Sequence, residues 1–401
     1  MTEVYIYDAV RTPCGKGDTT GALFQVKPLD LLHRCLGALG NRSAFETKDV
    51  DDAILGCVVP FGDQGDNIMK TALLYADWST EVPGMQINRF QASGLAAISL
   101  AAGKITAGWG DLMIAGGLES SSRVKRSNFR GAISSDPNVI NLIGSIPSGM
   151  SADLLATIHN IDRTEIDEYA LSSQEKAIAA QKKGCFDSSI ISIYDQNNIL
   201  LLDQDEFVNP TIDTAQMTAM ETIFPKWGRA GFEVAALKKY PLVERIKAFH
   251  TLGNIAPLAD GAALILLGSK AKGQELGLGA KAKILMATTV SSDLSIMHLG
   301  GVKAADKALR QAQLKVKDID LWYTNESFGA LGVYFQKHFS IPANRLNACG
   351  GTIAFGEPIG ALGAMLLSML LNDLERQGLK RGLVSVSAEG GMGACMIIEV
   401  V

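Results

Sequence analysis

No stretch of this chain reaches the roughly 18 consecutive apolar residues of a membrane span, which sets a bilayer-crossing helix aside. Cysteine is scarce and scattered. The six cysteines, Cys14, Cys35, Cys57, Cys185, Cys349 and Cys395, include no C-x-x-C pair, so neither a metal clip nor a disulfide framework is expected. Such thiols read as reduced and the chain as cytoplasmic. Positive charge is not in excess: 37 Lys and Arg face 42 Asp and Glu, a net charge of −5, which argues against a nucleic-acid surface. The opening MTEVYIYDAV has no basic n-region or cleavage site of a secretory leader. Histidine numbers five (33, 159, 250, 298 and 338), none in a recognisable dyad with Cys or Ser.

What is present is a large apolar chain organised around residues 87–122. Ala92 to Ala107 is apolar on nearly every face, rich in Ala and Gly, and carries one charge, Lys104. A helix of that kind belongs in a protein interior. Asp111 to Gly116 (DLMIAG) follows as a short buried strand without alternation. Strand, sharp turn, buried helix and strand form the usual seat of a nucleophile, because the free N–H groups of the helix favour negative charge. The residue at this turn is Gln91, which is no nucleophile.

In chain order, strands at 4–10 and 52–60, helices at 28–39 and 67–78, and the central unit make residues 1–118 read as an alternating β-α half with a parallel sheet. Residues 119–250 carry the loop signals: Ser-rich 120–127, SSDPN at 134–138 and IPSGM at 146–150. Two amphipathic helices interrupt them, 164–183 with a capping box starting at Thr164, and 235–249. This segment reads as an inserted loop domain. Residues 251–401 repeat the first plan, with a second all-round apolar helix at 360–374. The end of the first half is left open to return near 251–270. Two central helices meeting at a pseudo-twofold axis would bring Gln91 near the turn at 356–360.

Eight collinear motifs resemble the thiolase superfamily (acetyl-CoA acetyltransferase and 3-ketoacyl-CoA thiolase) over essentially the whole chain. They are VRTP near the N-terminus, NRFQASGL at 88–95, GGLESSS at 116–122, DEYALSSQEKA at 167–177, GNIAPLADGAA at 253–263, NESFGA at 325–330, NACGGTIAFGEPIGALGA at 347–364 and EGGMGACMI at 389–397. The resemblance implies an α/β fold of two similar five-stranded βαβαβαββ halves with buried central helices, and a loop domain that binds coenzyme A and helps form dimers or tetramers.

The resemblance also implies a site. The family's acylated cysteine of the NRF turn corresponds to Gln91 and the histidine of its G-H-P motif to Glu357. The Asn of its N-E-A-F motif is retained as Asn325, and its second cysteine corresponds to Ser387. Glu389 stands where the family has the first glycine of its C-terminal triplet. On the coenzyme side, Pro147 and Ser148 stand at the family's His-Met, Ala256 replaces a serine near the pantetheine, and Gly390 is kept. No metal and no covalently bound cofactor is implied; a coenzyme A thioester is the expected ligand. Two carboxylates in such a pocket suit Claisen chemistry only if one stays protonated, through burial or the other's charge.

Other residues could take over the nucleophile's part. Cys349 is the best placed, although a free Cys in a Gly-rich turn is usually packed. Ser387 would need a base. Glu357 and Glu389 could form an acid–base couple, or be solvated carboxylates in a disused pocket. Gln91 matches an acylated cysteine in size and can donate into an oxyanion hole. Related condensing-enzyme domains with Gln at this position resemble decarboxylases of malonyl thioesters, but those keep their histidines.

Three readings follow. The first is a protein that binds an acyl-CoA or acyl thioester without classical turnover, or that is the structural partner of an active homologue. The second is an enzyme of altered chemistry, such as decarboxylation, hydration or C–C cleavage of a β-oxo thioester. The third is a working acetyl-CoA acyltransferase. A homodimer or homotetramer is expected, or a hetero-oligomer with an active thiolase, with the strand before Gln91 and the GGLESSS stretch at its interface.

Overall fold

The computed structural model describes residues 2–125, 131–208, 212–225 and 231–401; the last two residues of the Ser-rich stretch 120–127 fall outside them. The strands are β1 (Val4–Arg11), β2 (Gly15–Lys16), β3 (Asp52–Gly56), β4 (Gly84–Ile87), β5 (Leu112–Ser120), β6 (Ile193–Tyr194), β7 (Leu200–Leu202), β8 (Ala259–Ser269), β9 (Ala282–Ser291), β10 (Leu321–Thr324), β11 (Arg381–Ser387) and β12 (Met392–Val400). Ten of them make one sheet in the order β10-β11-β12-β9-β1-β8-β5-β3-β4, with β2 paired to β8; β6 and β7 form a separate ribbon.

The parallel first half expected from sequence is corrected. β3 is parallel to β4 and β5, but β8 lies between β5 and β1 and is antiparallel to both. Burial on both faces, the signal behind the parallel reading, also arises in an antiparallel strand covered on both sides. β8 thus brings residues 259–269 back into the first half's sheet. The second half repeats the pattern: β10 is parallel to β11, and β12 and β9 follow antiparallel. In place of β4 it has a single parallel bridge, Trp322 to Leu346.

The central helices, Ser93–Thr106 and Leu362–Gln377, lie in the same core. Small residues set how closely they approach. A Cβ on Gly94 would stand 3.0 Å from the Gly360 carbonyl oxygen and 3.1 Å from the Ala364 nitrogen, and one on Gly363 would stand 2.6 Å from Leu95 Cβ. The turn at 356–360 therefore rests on the first turn of the helix that follows Gln91.

The insertion differs from its sequence reading in detail. The helix expected from Thr164 starts at Arg163, and its capping box joins Asp162 to Glu165. The one expected over 235–249 is only Glu233–Lys239, because Pro241 cannot continue it. Of IPSGM only Ile146 and Pro147 stay outside a helix; Pro147 occupies the N-cap position and Ser148–Ile158 is helical. The 22-residue stretch Pro137–Ile158 has the length and hydropathy of a membrane span, which a count of uninterrupted apolar residues passes over. Its backbone turns left-handed at Gly144, dividing it into Pro137–Ile143 and Ser148–Ile158, and half of its apolar window is buried. GGLESSS does not face outward either: residues 116–122 are buried, with 116–120 paired to β8 and Gly116 and Gly117 also to β3. β4, the strand before Gln91, does end the sheet.

Candidate functional site

The turn that carries Gln91 is strained and held by its own side chains. Phe90 has φ +48°, a left-handed conformation uncommon for a bulky residue. Asn88 Oδ1 accepts from Phe90 N–H at 2.8 Å, and Asn88 Nδ2 donates to the Val58 carbonyl at 3.0 Å. Ser93 Oγ donates to the Phe90 carbonyl at 2.6 Å and accepts from Arg89 N–H at 2.8 Å. Gln91 is thereby placed at the mouth of the helix Ser93–Thr106. Its Oε1 accepts from the backbone N–H of Glu389 at 3.0 Å, which also fixes which end of the amide is oxygen. Gly390, the next residue, lies beside the Phe90 ring: a Cβ there would be 3.8 Å from Phe90 Cε2.

Asn325 follows β10, beside the end of β11. Its Oδ1 accepts from Ser387 N–H at 2.9 Å; its Nδ2 donates to the Ser387 carbonyl at 3.1 Å and to Ser327 Oγ at 2.8 Å. Both amide protons are therefore engaged. The Ser387 hydroxyl donates to the His298 carbonyl at 2.6 Å and accepts from Gly301 N–H at 2.9 Å. Its proton is committed to a carbonyl and not to a base, so Ser387 is not an activated nucleophile.

Glu357 is buried. Its backbone N–H donates to the Pro257 carbonyl and its carbonyl accepts from Ala259 N–H. The Ser327 hydroxyl lies 2.7 Å from Oε1 and 3.0 Å from Oε2, and Thr352 Oγ1 donates to Oε1 at 3.0 Å. Burial pushes the Glu357 carboxyl up to about 7; the Ser327, Thr352 and Asn325 hydrogen bonds oppose this, and the nearby Glu326 charge adds to it. The acid expected from two adjacent carboxylates is thus produced mainly by burial, with Glu326 as the neighbouring charge instead of Glu389. Glu326 is itself buried and receives Tyr169 Oη, Ser173 Oγ, Asn347 Nδ2 and Ile353 N–H.

The coenzyme-side positions fall on the other flank. His298, within the short 3₁₀ segment Leu294–Leu299, lies 2.8 Å through Nε2 from the Ser148 carbonyl, which can only accept, so Nε2 carries the proton. Its ring packs edge-on against Phe328, centroids 4.9 Å apart. Ala256 N–H donates to the Ser327 carbonyl at 3.2 Å. Burial drives the His298 imidazole down to about 4, and the nearby Glu389 charge opposes the change. Ser148, Ala256, His298 and Phe328 thus adjoin the Asn325–Ser327 loop, while Gly390 lies on the Gln91 side.

Cys349 is not in this group. Its Sγ accepts from Arg376 Nη2 at 3.8 Å, a side chain of the last turn of the helix Leu362–Gln377, and makes no hydrogen bond with Gln91, Asn325 or Glu357 among the described contacts. Burial pushes its thiol up to about 12. Cys57 is buried just beyond β3, not within it, and Cys395 lies inside β12.

Sequence reasoning passed over Ser327, Thr352 and His298. For Ser327 a signal existed: the N-E-A-F position reads Ser in the same chain that has Glu for the G-H-P histidine. Thr352 and His298 become neighbours of the site only through folding.

The family model described as "Thiolase, N-terminal domain" matches residues 4–271, and "Thiolase, C-terminal domain" matches 278–400. A 3-ketoacyl-CoA thiolase of Serratia proteamaculans is 32% identical over 408 residues, covering 100% of both chains. The crystal structure of the Bacillus anthracis acetyl-CoA acetyltransferase superposes with TM-score 0.86 at 29% identity, over 100% of this chain and 99% of that one. Human mitochondrial 3-ketoacyl-CoA thiolase in complex with CoA gives TM-score 0.86 at 26% identity, over 100% and 98%.

Proposed function

Because this chain belongs to the thiolase family, we propose that it binds an acyl-CoA thioester at the site around Asn325 and Glu357 without passing the acyl group to residue 91. One observation carries this reading. The residue at the helix mouth is Gln91, and its carboxamide oxygen is held by Glu389 N–H. A carboxamide is a poor nucleophile, and the motif positions of the family's histidine and second cysteine hold Glu357 and Ser387 in this chain.

Support for the coenzyme half comes from the loop domain. A cavity of about 750 Å³ there is lined by Thr157, Ile158, Tyr240, Arg245 and Lys247 among others, with Glu244 as its acidic member and Lys239 paired to Asp293, so that Arg245 and Lys247 remain as cations for a phosphorylated nucleotide. The relative solved with CoA is of the same fold. The proposal includes assembly: β4 ends the sheet, and pairing of its open edge with a second copy or an active homologue would cover it.

A second reading, altered acid–base chemistry on a β-oxo thioester, is favoured by one observation: a buried carboxyl that titrates near neutrality suits general acid catalysis.

The first reading is tested by calorimetric titration with acetyl-CoA, intact-mass analysis after incubation with it, and a thiolysis assay with acetoacetyl-CoA. Binding without a gain of one acetyl mass and without thiolysis is expected. An acetylated protein, or thiolysis above background, would overturn it.

A further inference from the structure

The wall of the loop-domain cavity and the backbone around Ser387 meet at one carboxylate. Lys239 and Tyr240 line the cavity where the helix Glu233–Lys239 ends, and both bind Asp293. Lys239 Nζ lies 2.7 Å from Asp293 Oδ1, and Tyr240 Oη donates to Oδ2 at 2.9 Å. Oδ1 also accepts from Ser295 N–H at 2.8 Å, which caps the short segment Leu294–Leu299. Asp293 thus makes two contacts toward the cavity and one toward the segment.

The other end of that segment is fixed to the loop after β11. The His298 carbonyl and the Gly301 N–H hold the two sides of Ser387 Oγ, and Ser292 N–H donates to the Gly391 carbonyl at 2.7 Å. A Cβ on Gly300 would stand 2.1 Å from the Met392 carbonyl oxygen, so the backbone there has no room to slide over β12. Between the two ends the helical path is interrupted at Ile296 (φ −118°, ψ 51°), the joint of the segment. From Gly391 the loop leads back to Glu389, whose N–H holds Gln91.

We propose that Asp293 is a positioning residue that links the cavity to the Gln91 end of the site, so that filling either one tightens binding at the other. This rests on the acyl-CoA reading above. The physical ground is shared ordering. Lys239 is half exposed, and its pair with Asp293 is weak by itself. A nucleotide seated against Tyr240, Arg245 and Lys247 fixes the cavity wall, and with it Asp293, the segment and the backbone from Ser387 to Gly391. A thioester arriving at that backbone then meets a loop that is already ordered. A second route runs along the helix Ser148–Ile158, which has Thr157 and Ile158 in the cavity wall and the Ser148 carbonyl on His298.

The test divides the ligand. 3′,5′-ADP probes the cavity and S-acetylpantetheine the site, each titrated calorimetrically with and without a saturating amount of the other. In wild type each should tighten the other by about fivefold or more, by the same factor in both directions. Asp293→Ala should bring that factor to one while both probes still bind. Lys239→Met combined with Tyr240→Phe leaves Asp293 and its cap on Ser295 in place, and should also bring the factor to one. A merely structural role would weaken the two probes and leave the factor as it is.

Probes that bind wild type independently, or a failure of 3′,5′-ADP to bind, would overturn the proposal. So would a factor unchanged in Asp293→Ala, which would assign the linkage to the helix Ser148–Ile158. If S-acetylpantetheine fails to bind, hydrogen exchange decides the linkage. Slower exchange of the Ser387–Gly391 amides with 3′,5′-ADP in wild type, absent in Asp293→Ala, upholds it; unchanged exchange in wild type overturns it. The thioester reading falls only if acetyl-CoA fails to bind as well.

Discussion

Gln91 Oε1 and the backbone N–H of Glu389 are joined at 3.0 Å, so the loop after β11 is fastened to the mouth of the first central helix. In a thiolase that helix mouth would hold the acylated cysteine. Here it holds a neutral amide that ties two loops together. The contact gives residue 91 a structural part.

The first prediction concerns that position. Gln91→Cys alone should show no thiolysis of acetoacetyl-CoA at pH 7 above the wild-type background, because the motif position of the family's histidine holds a glutamate and that of its second cysteine a serine. The triple variant Gln91→Cys, Glu357→His, Ser387→Cys should exceed Gln91→Cys by roughly a hundredfold, the usual contribution of general-base catalysis. Equal rates in the two variants would count against the proposal that residues 91, 357 and 387 prevent turnover.

The second concerns stability against pH. The folded-state value of Glu357, about 7, lies above its ordinary 4.5. Its contribution is therefore complete below pH 4.5 and lost as pH rises to about 7, a loss on the order of 3 kcal/mol. His298 acts in the opposite direction: its value falls from 6.5 to about 4, so stability is lost as pH falls through that window. Melting curves from pH 4 to 8 should show that Glu357→Gln gains relative to wild type as pH rises, and that His298→Gln gains as pH falls. Curves parallel to wild type would contradict both assignments.

The third concerns the anchor of the VRTP motif. Arg11 and Asp205 are both buried and paired bidentately at 2.8 and 2.9 Å, and Asp205 Oδ1 also accepts from Cys14 N–H at 2.8 Å. Asp205→Ala leaves a buried guanidinium unpaired, and should cost about 3–5 kcal/mol in urea unfolding. A loss below 1 kcal/mol would show that the pair matters little.

The fourth concerns Gly117 in β5. A Cβ there would lie 2.1 Å from the Gly360 carbonyl oxygen, a backbone atom that cannot swing aside. Gly117→Ala should destabilise by about 1–3 kcal/mol and shift the turn that carries Glu357. The decisive readout is the pH midpoint of the Glu357 carboxyl band, which should move together with the melting temperature. A fall in melting temperature with no change in that midpoint would separate the turn from the acid.

Much of this protein was legible as a string of residues. The apolar helices around Leu95 and Leu366, the duplicated plan and the family motifs depend on local composition and spacing, and those survive without coordinates. The expected departures from the family pattern at 91, 357 and 387 were equally plain, because each sits inside a motif that otherwise resembles the family's. Helix ends in the insertion were poorly legible because competing caps, Asp162 and Thr164, stand two residues apart.

Strand direction and partner choice, by contrast, were decided only by folding. β8 inserts between β1 and β5 from almost 140 residues away, and no periodicity in a strand records which neighbour it will have. The same holds for the site. Residue types at 325, 327, 352 and 357 are readable in order, but the direction of each hydrogen bond is not. Only the packed structure makes Glu357 the dry, doubly accepting end of a chain that starts at Asn325, because a carboxyl's charge is set by how much water its neighbours exclude.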